Sequence, residues 1–118
     1  MGYYKDRLKA FGFAFSGLKQ AFSQEVHLKL HAIITLLTIG LGLFFDVSRT
    51  DWLFLFLAIT LVICLEMFNS ALEKLCDLVM PEQHIKIKYI KDVAAGAVLV
   101  ACLFAVVVAV LVFYPCLD

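Results

Sequence analysis

Three long runs of apolar residues constrain this chain more than any other feature of its sequence. The last run, Val93–Tyr114, continues for twenty-two residues without a charged side chain. About 20 apolar residues in a helix are enough to cross the hydrocarbon core of a bilayer. Two earlier runs, Leu30–Phe45 and Trp52–Leu65, are shorter, but the helical pattern continues beyond each of them. The runs predict an all-α integral membrane protein with three spanning helices.

The composition supports the same fold class. Of the 118 residues, 64% are hydrophobic and 17% are charged, whereas soluble domains are about 45–50% apolar and about 25% charged. A chain this short has a large surface for its volume and cannot bury so many apolar residues. The excess must face lipid, which excludes a soluble monomer. Ten basic residues balance ten acidic ones, which argues against a nucleic-acid partner.

Residues 3–24 predict an amphipathic helix that lies on the membrane surface. Apolar residues recur there at spacings of three and four, while Lys5, Lys9 and Lys19 lie off that stripe and can reach lipid head groups. The alternative is a helix that packs on a soluble partner. The apolar stripe consists of Leu8, Phe11, Phe15, Leu18 and Phe22. With further helices predicted at 26–45, 52–79 and 87–114, residues 1–118 form a single domain.

The placement of Lys and Arg predicts the orientation in the membrane. Five basic residues precede the first span, Arg49 alone lies in the first loop, and four lie between the second and third spans. The tail after the third span has none. Short cytoplasmic loops have the excess of Lys and Arg. We therefore expect the N-terminus and the second loop on the cytoplasmic side.

Four polar residues at the end of the second span form the most informative pattern. Glu66, Asn69, Glu73 and Asp77 are spaced by three, four and four residues, which places them on one helix face. Acidic residues inside membranes usually face a bundle interior or an aqueous cavity and mark a functional site. Glu66 is the deepest and least solvated, which suits a general base. The carboxylates nearer water suit Mg²⁺, which prefers oxygen ligands and substrate phosphates.

Two alternatives remain open for this polar stripe. The four side chains could form hydrogen bonds between helices and hold an oligomer together. They could also couple proton or cation movement in a small non-enzymatic transporter or assembly subunit. A transporter places such charges near the bilayer midplane, whereas this stripe leads into the cytoplasmic loop.

Other residues could complete a site on the cytoplasmic side. Glu25, at the start of the first span, could bind a metal or interact with the helix dipole. Lys91 and Asp92 precede the third span, where a lysine can neutralise phosphate or anchor the helix.

His27 and His31 are four residues apart without further ligands nearby, so zinc is not expected. The four cysteines include no CxxC pair, which favours packing over a disulfide or metal site.

The chain resembles the prokaryotic diacylglycerol kinase and undecaprenol kinase family. The resemblance rests on ExxNSAxExxxD at residues 66–77 and KDxxAGAVL at residues 91–99, and it extends from about residue 5 to residue 113. It implies a homotrimeric lipid kinase of the bacterial inner (cytoplasmic) membrane. Such an enzyme transfers a phosphoryl group from MgATP to a lipid hydroxyl at the cytoplasmic interface. The lipid would be undecaprenol or diacylglycerol, and the run from Lys91 is more like the undecaprenol branch.

The resemblance also implies roles for individual residues. Glu66 would accept the proton of the lipid hydroxyl, with Asn69 shaping the site, and Glu25 and Glu73 would bind Mg²⁺. The residues implied to contact ATP are Arg7, Asp77, Glu82, Gln83, His84, Lys91 and Asp92. The sequence departs from the family pattern at two positions, Ile90 (usually Ala) and Phe13 (Tyr in some members). These departures concern nucleotide contacts and leave the acidic residues intact.

Overall fold

The structure, a computed structural model, describes residues 2–118 and is helical throughout, without strands in this range. Three of its four α-helices are long and apolar enough to cross a membrane. The all-α prediction with three such helices is therefore confirmed. In chain order the helices are α1 (Gly2–Gln24), α2 (Val26–Phe45), α3 (Arg49–Val79) and α4 (Ile85–Phe113), and a 3-10 turn (Tyr114–Leu117) follows.

A tight turn joins α2 to α3. Asp46 has a left-handed backbone with φ of 51°, and its N–H donates to the carbonyl of Leu43 at 3.3 Å. The N–H of Val47 donates to the carbonyl of Gly42 at 3.2 Å. Together these two bonds satisfy carbonyls that the helix end would leave free, in the pattern called a Schellman motif. The chain can therefore reverse direction within a few residues.

Helix α3 begins at Arg49, three residues before the predicted start at residue 52. Ser48 caps this end, because its hydroxyl accepts the N–H of Asp51 at 3.1 Å. A serine in this position satisfies one of the unpaired N–H groups of the first turn. The polar segment at residues 46–51, which separates the first two apolar runs of the sequence, is thus partly helical.

The turn also depends on a close approach between Gly42 of α2 and Trp52 of α3. A Cβ atom at residue 42 would lie 2.5 Å from Cη2 of Trp52, whereas one at Gly40 would meet nothing within 4 Å. We expect Gly42→Ala to be less stable than Gly40→Ala by about 1–3 kcal/mol, the usual cost of overpacking. Thermal unfolding of both variants in the same detergent measures this difference. Equal melting temperatures would contradict it.

Helix α4 begins at Ile85, two residues before the predicted start, because His84 caps it. The Nδ1 atom of His84 accepts the N–H of Lys86 at 3.1 Å. The preceding helix, α3, ends at Val79, two residues before Pro81, which disfavours helical backbone in the residue before it. The loop between α3 and α4 is therefore only residues 80–84.

Helices α3 and α4 run antiparallel and form most of the apolar core. Leu55 and Ala58 of α3 pack with Val108 and Val112 of α4, and Val47 of the first turn joins them. This core lies towards the end at which α3 begins. Many other apolar side chains of α2–α4 are exposed, which is consistent with surfaces that face lipid or further copies of the chain.

Helix α1 extends from the bundle with its apolar side chains exposed, including Leu8, Phe11 and Phe15. Its second half borders α3, where Gly17 and Ala21 line an open cavity opposite residues of α3. Placement of α1 on a membrane surface stays a prediction.

Candidate active site

Glu66 is a buried carboxylate between α2 and α3. Only 6% of the residue is exposed, and it lies one turn beyond Val62, which is also buried. The Oε2 atom of Glu66 is 3.5 Å from Nε2 of His31 in α2. The sequence pattern indicates His31 only as a candidate zinc ligand and does not link it to Glu66. Spacing along one helix cannot reveal a contact between two helices.

Asn69 and Glu73 contact each other along the same face of α3. The Nδ2 atom of Asn69 donates to Oε1 of Glu73 at 3.4 Å. The Oδ1 atom of Asn69 is buried and has no hydrogen-bond partner among the described residues 2–118. A buried oxygen without a partner is costly unless a ligand or ion satisfies it. The pair therefore presents oxygen atoms to whatever occupies this part of the site.

Glu25 lies at the start of α2, opposite a face of α3 that includes Ser70 and Lys74. It occupies the N-cap position of α2, but its side chain makes no capping hydrogen bond. Instead Oε1 of Glu25 is 3.5 Å from Nζ of Lys74, which also donates to Gln24 at 3.2 Å. Lys74 is the neighbour of Glu73 in sequence. In this structure Glu25 thus contacts Lys74 and makes no direct contact with Asn69 or Glu73.

The oxygen-bearing side chains of Glu25, Asn69 and Glu73 are of a type that fits Mg²⁺. Glu25, Asn69 and Glu73 offer oxygen, the ligand type that Mg²⁺ prefers. Within residues 2–118, no three His, Cys, Asp or Glu side chains are grouped closely enough to hold a metal by themselves. Mg²⁺ does not require such a cage, because proteins usually bind it through one or two carboxylates together with substrate phosphates.

A second part of the site lies between the ends of α3 and α4. The Nζ atom of Lys91 is 2.7 Å from Oδ1 of Asp77, so an ion pair joins the two helices. Lys88 forms another pair, with Asp92 at 2.5 Å. These four residues line an open cavity of about 500 Å³. All five residues of the connecting loop also line it, and they include Glu82, Gln83 and His84.

All the residues that the resemblance implied for ATP contact line this cavity, except Arg7. Arg7 lies in α1, where its Nε donates to the hydroxyl of Tyr3 at 3.1 Å and its guanidinium lies over the same ring. The structure does not bring Arg7 to the other nucleotide candidates. Position in a sequence motif could not show this, because α1 extends away from the bundle.

The site is elongated along α3. Asp77 lies eleven positions after Glu66, which corresponds to about 16 Å along a helix. The buried carboxylate lies at one end, the cavity between α3 and α4 lies at the other, and Asn69 and Glu73 lie between them. This arrangement suits an elongated substrate that extends from the cavity towards Glu66.

An apolar groove approaches Glu66 from the opposite direction. It has a volume of about 260 Å³ and lies between α2, α3 and α4. His31 lines it and is also the residue that contacts Glu66. The other side chains on its wall are almost all apolar and include Val62, Ile63, Ala105 and Ala109. The groove and the cavity between α3 and α4 thus approach the polar stripe from its two ends.

Comparison with known proteins identifies a family that matches most of this chain. The model of the family described as prokaryotic diacylglycerol kinase matches residues 12–113. The chain belongs to this family. The undecaprenol kinase of Bacillus subtilis (strain 168) is 31% identical over 107 residues, which are 91% of this chain and 87% of that protein. The diacylglycerol kinase of Escherichia coli (strain K12) is 30% identical over 100 residues, or 85% and 82% of the two chains.

A third relative, the diacylglycerol kinase of Helicobacter pylori (strain J99), is 31% identical over 101 residues. That match covers 86% of this chain and 79% of the relative. Membership of the prokaryotic diacylglycerol kinase family confirms the resemblance that the two motifs indicated. The expected enzyme class, lipid kinase, is the class that the names of these relatives describe.

Proposed function

We propose that this chain transfers the γ-phosphoryl group of ATP to the hydroxyl of a membrane lipid, with Glu66 as the general base. The observation that supports this most strongly is the position of Glu66. It is a buried carboxylate that lies where an apolar groove meets a polar stripe, and the stripe leads to the cavity that contains Lys88 and Lys91. Both substrates can therefore reach one carboxylate from opposite ends.

In the proposed step Glu66 accepts the proton of the lipid hydroxyl. As the proton leaves, the lipid oxygen forms a bond to the γ-phosphorus, and the bond between that phosphorus and the bridging oxygen of ADP breaks. ADP departs with the electron pair of the broken bond. Phosphoryl transfer requires mainly positioning, charge neutralisation and a base that orients the nucleophile. The low exposure of Glu66 keeps water from competing with the lipid hydroxyl for this carboxylate.

The proposed nucleotide site is the cavity between α3 and α4. Lys91 neutralises phosphate oxygens as a point charge, and it must then release the carboxylate of Asp77 that it contacts in this structure. Asp92 and the loop residues Glu82, Gln83 and His84 border the rest of the nucleotide. The triphosphate then extends along α3 towards Glu66.

Glu25, Asn69 and Glu73 would hold Mg²⁺ together with the phosphates. The ion, when bound, supplies positive charge that stabilises the transferring phosphoryl group. Asn69 and Glu73 provide oxygen atoms next to the path of the triphosphate. Glu25 becomes available once Lys74 moves away from it, and Lys74 is long and exposed enough to do so.

The lipid tail is proposed to occupy the apolar groove. Ala109→Phe would narrow the groove, since Ala109 lies on its wall, and we expect a higher KM for the lipid with an unchanged KM for ATP. Leu103→Phe is the matched control, because Leu103 is on the same helix and 58% exposed. Steady-state rates against lipid concentration in mixed micelles measure both variants. Equal lipid KM values for the two variants would contradict this placement.

The proposed location is the bacterial inner (cytoplasmic) membrane with the N-terminus in the cytoplasm, as the distribution of Lys and Arg indicates. This orientation places the nucleotide cavity on the side where ATP is present. The homotrimer stays a prediction, and the exposed apolar surfaces of α2–α4 are compatible with it.

Transfer of labelled phosphate tests the proposal. Purified protein in detergent micelles is given γ-labelled ATP and Mg²⁺ with either undecaprenol or diacylglycerol, and lipid is then extracted into organic solvent. We expect Mg²⁺-dependent label in at least one of the two lipids, and the ratio of the two rates identifies the preferred one. Absence of label from both lipids would overturn the proposed function.

A further inference from the structure

His31 is a histidine within an apolar stretch of α2, and its ring lies against the carboxylate of Glu66. The side chain of His31 is 18% exposed, and its Nε2 atom is 3.5 Å from Oε2 of Glu66. The described lysines that form ion pairs contact carboxylates other than Glu66. These pairs are Lys74 with Glu25, Lys88 with Asp92, and Lys91 with Asp77. His31 is thus the basic side chain that the structure places at Glu66.

A buried carboxylate needs a partner for its charge and its orientation. Without one, the cost of removing it from water is not compensated. Apolar side chains such as Val62 and Ile63 line the groove beside this place, and they offer no hydrogen bond. A ring N–H that points at one carboxylate oxygen fixes the side chain and leaves the second oxygen free. Catalytic bases are commonly oriented by a third group in this way.

We infer that His31 is a positioning residue for phosphoryl transfer, which donates Nε2–H to Oε2 of Glu66 and directs Oε1 to the lipid hydroxyl. This inference rests on the proposed function. The proton of the hydroxyl moves to Oε1 of Glu66, while His31 keeps its own proton throughout. The distance of 3.5 Å is long for a hydrogen bond, but catalytic hydrogen bonds often tighten only when substrate binds.

The position of His31 predicts which kinetic constant depends on it. His31 lines the apolar groove and lies away from the nucleotide cavity between α3 and α4. Its loss should therefore lower kcat and leave the KM for ATP unchanged. A misplaced catalytic group can lower a rate by about 10²-fold, so we expect His31→Ala to lower kcat about 10- to 100-fold.

Two amide variants separate positioning from mere packing. The side-chain nitrogen of Gln can occupy the place of Nε2, whereas that of Asn is closer to the place of Nδ1. We expect His31→Gln to recover most of the kcat that His31→Ala loses, and His31→Asn to recover little. The control is His27, one turn earlier on α2 and exposed. We expect His27→Gln and His27→Ala to have the kcat of the wild type.

A double variant tests whether His31 acts through Glu66. In a Glu66→Gln background, His31→Ala should cause no further loss of kcat, because residues that act as a unit are not additive. Thermal unfolding in the same detergent identifies the variants that fold. If His31→Ala does not fold, the comparison of His31→Gln with His31→Asn decides the question.

The outcomes separate this inference from the proposed function. A wild type that labels neither lipid overturns both. If the wild type is active and Glu66→Gln is inactive, a full kcat in His31→Ala overturns only the role of His31. Equal recovery by His31→Gln and His31→Asn also overturns it, because an N–H at Nε2 would then not matter.

Discussion

Glu66→Gln is expected to lower kcat for lipid phosphorylation by about 10²- to 10⁴-fold, the usual contribution of a general base. Glutamine has nearly the same shape as glutamate but cannot accept the proton of the lipid hydroxyl. The substitution also removes a charge from a site that is only 6% exposed, so the fold should not be weakened. Initial rates at saturating ATP and lipid measure the effect.

The matched control for this substitution is Asp51→Asn. Asp51 lies on the same helix, in the first turn at the opposite end. We expect this variant to keep the kcat of the wild type, since Asp51 lines neither the apolar groove nor the nucleotide cavity. If Glu66→Gln retained the rate of its control, Glu66 would not be the base.

Glu73→Gln is expected to raise the Mg²⁺ concentration that gives half-maximal rate by about 10- to 100-fold, the range seen when groups around a metal are changed. The amide oxygen of Gln can still accept the hydrogen bond from Asn69, so local packing should be preserved. The change removes a negative charge that would face the ion. Rates are measured while Mg²⁺ is varied at a fixed concentration of ATP.

Excess Mg²⁺ should restore part of the lost rate in Glu73→Gln, which distinguishes weaker metal binding from a damaged site. Asp51→Asn should show the Mg²⁺ dependence of the wild type. A half-maximal Mg²⁺ concentration that does not change in Glu73→Gln would remove this residue from the metal site.

Features with a regular period were predictable from the sequence. The three apolar runs predicted three helices long enough to cross a membrane, and the structure has them. The spacing of the polar stripe placed Asn69 and Glu73 on one face of a helix, and the two side chains contact each other. Periodicity is a property of one helix, so it can be recognised without knowledge of any other helix.

Contacts between helices could not be predicted in this way. The approach of His31 to Glu66 joins residues thirty-five positions apart, and it depends on how α2 lies against α3. Packing also decides that Lys74 of α3 contacts Glu25 at the start of α2. Helices α3 and α4 begin earlier than the sequence predicted for a local reason. Ser48 and His84 cap these helices before the apolar pattern begins.

The central claim is that Glu66 promotes transfer of the γ-phosphoryl group of ATP to a lipid hydroxyl. The most direct measurement is the label recovered in the lipid extract after incubation with γ-labelled ATP, for the wild type and for Glu66→Gln at equal amounts of folded protein. We expect labelled lipid from the wild type and only background label from Glu66→Gln. Equal labelling by both proteins, or release of the label solely as inorganic phosphate, would contradict it.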